Sequence, residues 1–242
     1  MHVLITMAGL GSRFRAKGYQ IPKYQIQVKG RTLFSWSMES LRHFFPGNQA
    51  TFVVRKEDDP GEFIREEFKA FHTDPPSIIS LDQVTDGQAT TVLQALPSLR
   101  ARDPRGALLI YNIDTYVEAR VLHPKDIRGD GWIPCFPGKG DAWSFFRGDS
   151  EGRVIEAREK IRISEDASIG LYYFGSLDLF ESTYQAYFHN GLPEGLRERY
   201  VAPMYQELIA QGREIWIHPI PAEAVHPLGT PEEVDQFSLS RG

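Results

Sequence analysis

The chain is poor in cysteine, in long apolar runs and in basic tracts, and each shortage excludes something. One cysteine in 242 residues, Cys135, rules out an internal disulfide framework and any cysteine-built zinc site. No apolar run approaches the roughly 18–20 residues needed to cross a bilayer. The short apolar start, MHVLITMAGL, lacks the basic n-region and processing site of a secretory signal, so the expected compartment is the cytoplasm, without membrane insertion. With 27 Lys or Arg against 32 Asp or Glu, the formal net charge is −5 and no long basic run occurs; no nucleic-acid partner is expected. No Ser/His/Asp or Cys/His arrangement for nucleophilic catalysis stands out either.

One absence is local. Between Met1 and Met38 there is no Asp or Glu, yet six cations (Arg13, Arg15, Lys17, Lys23, Lys29 and Arg31) fall there. Such an excess in an acidic chain points to an anionic ligand.

What is present reads as one compact unit of ordinary composition, 41% hydrophobic and 24% charged. HVLIT is β-branched and continuously apolar, as a buried parallel strand should be. Phe34, Met38, Leu41 and Phe45 share one helical face. ATFVVR, a helix over PGEFIREEFKAF, SIISL, a helix over ATTVLQALPSL ending near Pro97, and ALLIYNID continue the strand–helix alternation of an open, mostly parallel α/β sheet. The rhythm then shortens. WIPCF, AWSFFRG, GRVIEAREK and SIGLYYFG suit antiparallel strands appended to that sheet. Helices over LDLFESTYQAYF and VAPMYQELIAQG, the strand EIWIHPI, and a last helix opened by Thr230 and Pro231 complete the chain. The expected boundary between the two halves lies near residue 117.

The stretch MAGLGSRFRAKGYQIPKY, residues 7–24, holds three glycines and four cations. A glycine loop directly after a strand is a phosphate-binding arrangement, because backbone amides reach the ligand without an intervening side chain. The dinucleotide fingerprint fails at Phe14, where a third glycine is needed, and no G-x-x-x-x-G-K-[ST] run exists. Ala8-Gly9-x-Gly11-Ser12-Arg13, followed by Pro22-Lys23, resembles the sugar-nucleotide pyrophosphorylases, and within them the short bacterial enzymes of capsule and surface-polysaccharide synthesis. They join a nucleoside triphosphate to a sugar 1-phosphate and release pyrophosphate.

The resemblance implies a Rossmann-like nucleotidyltransferase fold, with a nucleotide half (1–117) and an acceptor half (118–242). It implies that Arg13 and Lys23 are catalytic and serve the triphosphate. QVTDGQATTV resembles a base-recognition segment, which makes Gln83, Gly87 and Gln88 candidates for the nucleobase. Asp114 closes a strand where the family holds Mg²⁺. GRVIEAREK and SIGLYYF match an acceptor segment in which Glu159, Lys160 and the backbone of Gly170 contact the phosphorylated acceptor. Trp143 is a candidate for stacking on a sugar face.

PLGTPEEV departs from the family pattern: Pro227 stands where many relatives carry a second metal-binding Asp, and His226 is a poor magnesium ligand. Two other readings stay open. One is a cytidylyltransferase for a non-sugar phosphomonoester such as phosphocholine; the other is a nucleotide-binding protein without catalysis. A nucleotide-sugar-consuming glycosyltransferase fits less well, because N-I-D-T offers one acid where a D-x-D pair is usual. A homodimer is the base-rate expectation for assembly.

Overall fold

The computed structural model describes residues 1–240. β1 (His2–Thr6) leads into the glycine loop and a short helix, α1 (Ser12–Ala16). A small ribbon of β2 (Gln27–Val28) and β3 (Arg31–Thr32) precedes α2 (Leu33–Glu39). Then β4 (Gln49–Arg55), α3 (Gly61–Phe68), β5 (Ser77–Leu81), α4 (Gln88–Arg100) and β6 (Leu108–Asn112) alternate as the apolar periodicity requires. The second half holds β7 (Thr115–Val117), β8 (Gly131–Pro137), β9 (Ser144–Gly148), β10 (Val154–Glu159), β11 (Asp166–Ser168) and β12 (Leu171–Phe174). After these come α5 (Leu177–Tyr187), α6 (Tyr205–Ala210), β13 (Ile215–Pro219), β14 (Val225–Pro227) and α7 (Pro231–Leu239).

One ten-stranded sheet runs β10-β9-β11-β8-β12-β6-β1-β4-β5, with β13 also on β8. β6, β1, β4 and β5 are parallel neighbours. β12 joins β6 antiparallel and carries the sheet into the second half. The expected architecture, a mostly parallel centre with antiparallel strands appended, is the one observed.

Side-chain alternation divides the core into two layers. Val3, Ile5, Phe52, Val54, Leu109 and Tyr111 face Phe34, Met38, Phe45 and Phe68. Leu4, Val53, Leu108 and Ile110 face Val92, Leu96, Phe180 and Leu208 on the opposite side. A third cluster stands apart and ties the chain's two ends together. In it Phe14 of α1, Ile26, Val28 and Leu33 pack on Leu228, Val234 and Phe237 of the α7 region. α7 itself begins with a reciprocal cap: Thr230 Oγ1 accepts from Glu233 N at 3.2 Å, and Thr230 N donates to Glu233 Oε2 at 2.8 Å.

Three local expectations are corrected. α4 does not stop near Pro97 but runs through it to Arg100. Pro97 is exposed, so its missing N–H lies on the solvent side, while buried Leu99 holds the last turn down. The single helix expected to carry Phe34, Met38, Leu41 and Phe45 ends at Glu39 and is followed by a 3₁₀ turn over Arg42–Phe44, with all four side chains still buried. SIGLYYFG is two strands, not one, broken at Gly170 with φ +79°. Among the described residues no helix is long and apolar enough to cross a membrane.

Candidate active site

A cavity of about 520 Å³ opens over the C-terminal ends of β1 and β6, where Thr6 and Asn112 form part of its wall. Parallel α/β sheets place ligands at this edge, since the strand ends and following loops diverge there. The glycine loop supplies one side through Ala8, Gly9, Gly11, Ser12 and Arg13, with Lys23 just beyond. Gly87 and Gln88 at the start of α4, Asp114 after β6, and Lys160 after β10 complete it. Residues separated by more than a hundred positions in sequence thus surround one space.

Within the glycine loop the two glycines have different causes. Gly11 caps α1 in a left-handed conformation, φ +60°, and its carbonyl accepts from Phe14 N at 3.1 Å and Arg15 N at 3.2 Å. At Gly9 a Cβ would meet no protein atom within 4 Å, so only open cavity lies over its α-carbon. Buried Phe14 anchors α1 in the third core cluster and leaves its neighbours turned outward. Lys17 pairs with Glu232 at 2.8 Å. Arg13 and Arg15, both lining the cavity, have no ion-pair partner among the described residues. Two of the six cations found between Met1 and Met38 (Arg13 and Arg15) thus face the cavity without such a partner.

Lys23 reaches across to Asp114 and pairs with its Oδ1; the Lys23 side chain is 11% exposed and that of Asp114 57%. Asp114 sits in the turn after β6, pinned by Leu228 N donating to its carbonyl at 2.7 Å. Pro227 lies one residue before that donor, paired with Thr115 in the ribbon of β14 with β7. No second carboxylate stands at this position, and no cluster of three His, Cys, Asp or Glu side chains suited to a metal occurs among the described residues. A single accessible carboxylate is an incomplete shell on its own. It does fit Mg²⁺, a hard cation that keeps several waters and is commonly held by one or two carboxylates plus substrate phosphates.

Gly87, Gln88 and Gln83 resolve differently. A Cβ on Gly87 would lie 2.4 Å from Arg199 N and 2.6 Å from Arg199 O, so glycine here is required by another stretch of backbone. Gly87 nevertheless lines the cavity, as expected of a residue with its backbone near the ligand space. Gln88 Nε2 donates to Thr6 Oγ1 at 3.2 Å and to Asn112 Oδ1, which fixes its side chain against both strand ends. Gln83 is exposed and does not line the cavity; Val84 and Thr85 do.

The second half of the chain contributes Lys160, a non-glycine residue with φ +55°. Its amide donates to Trp143 O at 2.9 Å, and its ammonium donates to the Tyr200 hydroxyl at 2.6 Å while lying 4.4 Å from that ring's centre. The ammonium also lies 3.6 Å from Glu159 Oε1, on the side away from the cavity. Glu159 is 6% exposed, accepts from the Ser144 hydroxyl, and does not line the cavity. Burial raises its carboxyl pKa above the ordinary value of 4.5, against the opposing effects of Ser144 and Lys160. Gly170 does not reach the cavity either. Its carbonyl accepts from Asn112 N at 3.1 Å, and a Cβ there would fall 2.7 Å from Asn112 Nδ2. Trp143 packs edge-on against Phe136 and donates to Lys139 O, outside the cavity wall.

Glu198 and Tyr200 also line the space. They fall in a stretch without periodicity or motif, so nothing in the sequence marks them. Arg15 carried a signal as part of the basic excess, and Asn112 as a polar strand end.

The chain matches no protein-family profile and no curated protein sequence. Among solved structures it is similar to a nucleoside-diphosphate-sugar pyrophosphorylase from Vibrio cholerae RC9, at 33% identity and a TM-score of 0.90, over 98% of this chain and 100% of that one. The inositol-1-phosphate CTP transferase from T. maritima shares the fold at 11% identity and a TM-score of 0.74, over 100% and 97% of the two chains. The CTP:phosphocholine cytidylyltransferase from Streptococcus pneumoniae does so at 14% and 0.72, over 98% and 97%. With one residue in three shared along the full length of the Vibrio cholerae protein, and the same sheet beneath, the chain belongs to the nucleotidyltransferase family that contains that pyrophosphorylase.

Proposed function

We propose that the protein transfers a nucleotidyl group from a nucleoside triphosphate to a sugar 1-phosphate, releasing pyrophosphate and forming a nucleoside-diphosphate sugar of the kind consumed in capsule or surface-polysaccharide assembly. The observation that carries this reading is the presence of two cationic clamps on one cavity. Arg13 and Lys23 line it at the glycine loop, and Lys160 lines it from the second half of the chain. A protein that only bound a nucleotide would have no use for the second clamp. Pro227, in place of a second carboxylate, is what favours that non-catalytic alternative.

Such transfer asks little covalent chemistry of the protein; positioning and neutralisation of charge do most of it. An oxygen of the acceptor phosphate, already dianionic near neutral pH, attacks the α-phosphorus, and the bond to the β-phosphate oxygen breaks. No general base is needed. The Gly9–Ser12 amides and the Arg13 guanidinium would hold the β- and γ-phosphates, Arg13 by a planar fork. Lys23 would leave Asp114 for the α-phosphate, and Lys160 would turn from Tyr200 to the acceptor phosphate. Asp114 would then hold Mg²⁺, which offsets charge on the triphosphate when bound.

A phosphocholine-type acceptor is the second reading, and the exposed Glu198 carboxylate in the wall favours it. Against it, the aromatic ring beside Lys160 is Tyr200, and the Lys160 ammonium already lies over that ring. A quaternary ammonium would meet a like charge there instead of an open aromatic face. The experiment is pyrophosphate release with Mg²⁺, testing ATP, CTP, GTP and UTP against a panel of sugar 1-phosphates and amino-alcohol phosphates. Release that depends on a sugar 1-phosphate supports the proposal, release with phosphocholine supports the second reading, and silence throughout overturns both.

A further inference from the structure

The connection between α5 and α6 supplies a part of the cavity wall that no sequence motif announces. Its residue 199 is fastened to the turn that opens α4. Arg199 N donates to Asp86 O at 2.9 Å, and Ala89 N donates to Arg199 O at 2.8 Å. Gly87 makes this rung possible, since any Cβ there would strike the Arg199 backbone. A bond from Tyr200 N to Glu198 O at 3.1 Å closes a tight three-residue turn around residue 199. Glu198 and Tyr200 both line the cavity. The Arg199 side chain does not. Its guanidinium donates to the Tyr184 hydroxyl at 2.5 Å, lies 3.2 Å from Asp86 Oδ2, and sits 5.2 Å from the Phe188 ring centre.

We infer that Arg199 is a positioning residue for the acceptor, and that Glu198 and Tyr200, which it seats, select phosphomonoesters whose remaining part bears hydroxyl groups. The inference rests on the transfer reading above. Tyr200 accepts from Lys160, and its own hydroxyl proton is uncommitted among the described residues. Ammonium and phenol thus form a paired donor for one phosphate. The Glu198 carboxylate is an acceptor for which sugar hydroxyls are matching donors, whereas a quaternary ammonium offers it charge but no N–H. An alkyl phosphate would leave that carboxylate without a donor.

The test measures separate Michaelis constants for acceptor and NTP, using the sugar phosphate and NTP that react fastest with the wild type. Tyr200→Phe and Glu198→Gln each raise the acceptor KM about ten-fold, while the NTP KM stays within about two-fold. Glu198→Gln also narrows the preference for the sugar phosphate over a plain alkyl phosphate. Arg199→Ala reproduces the Tyr200→Phe effect, and the double variant is no worse than the more affected single one, because the two act as a unit. Tyr184→Phe, which removes one acceptor of the guanidinium and a contact with Thr90 but leaves the Asp86 pair, gives a smaller rise and decides the matter if Arg199→Ala does not fold. An unchanged acceptor KM in Tyr200→Phe and Glu198→Gln overturns the selective role. Equal rises in both KM values for Arg199→Ala overturn the positioning role. A wild type inert toward every phosphomonoester overturns the transfer reading, and this inference with it.

Discussion

Two alanine substitutions at cavity-lining glycines should have opposite signatures. At Gly87 the backbone has φ +149° and ψ 172°, a region accessible to glycine almost alone. A methyl group would also lie 2.4 Å from one backbone atom of Arg199 and 2.6 Å from another, neither at the end of a flexible side chain. Strain of about 1–3 kcal/mol and overpacking of about 1–3 kcal/mol together make Gly87→Ala about 4 kcal/mol less stable. For a chain of this size that lowers Tm by about 10 °C. Gly9 has neither constraint: its φ lies outside the left-handed region, and a Cβ meets nothing. Gly9→Ala should therefore keep or slightly raise Tm, through a less entropic unfolded chain. It should nevertheless weaken NTP binding about ten-fold or more, because the methyl stands where amide and phosphate must meet. Calorimetric melting and NTP titration of both variants separate the two effects. A Gly9→Ala protein that binds NTP like the wild type would refute the phosphate role of the loop, and a Gly87→Ala protein melting within a degree or two of wild type would refute the seating of residue 199.

Lys23→Ala should reduce kcat at least about a hundred-fold with little change in Tm, since the Asp114 carboxylate it leaves behind is well exposed; stopped pyrophosphate assays and a melt check both halves. Glu159, whose folded pKa is raised chiefly by burial, binds its proton more tightly folded than unfolded. Wild type should therefore gain stability relative to Glu159→Gln as pH falls from neutrality toward the ordinary glutamate range, and lose that gain as pH rises through the folded pKa; denaturant midpoints at several pH values would show a flat difference if the carboxyl titrated normally. Thr230→Ala removes the side-chain half of the α7 cap and should cost about 1 kcal/mol, a Tm drop of about 2–4 °C, measurable by circular dichroism.

The parts of the site readable in the sequence are those whose chemistry is local. Gly11 and Lys23 lie within one turn-and-helix stretch, and both the left-handed cap and the local excess of cations are visible in neighbouring residues alone. Asp114 was legible because a strand ending in polar residues marks the ligand edge of a parallel sheet. Why residue 87 is glycine is not a local matter, since the atoms that exclude a Cβ belong to residue 199. Glu159 illustrates the other limit. A charged pair at a strand end does not reveal which member turns inward, and β10's pleat sends Glu159 to Ser144 while Lys160, one residue on, enters the cavity. Pro97 was misread because a proline on a helix's wet face gives up a bond that water can replace.

The third core cluster bears on how the protein is made. Ile26, Val28 and Leu33 give Phe14 only part of its apolar seat; Leu228, Val234 and Phe237 complete it, and these leave the ribosome roughly two hundred residues after the glycine loop, tens of seconds later at ordinary translation rates. The parallel sheet can form in the meantime from β1, β4, β5 and β6. The glycine loop's support stays half-built beside it, so a chain still being translated would own a folded scaffold and an unfinished cavity wall. Completion of that wall is thereby reserved for polypeptides whose synthesis has reached α7.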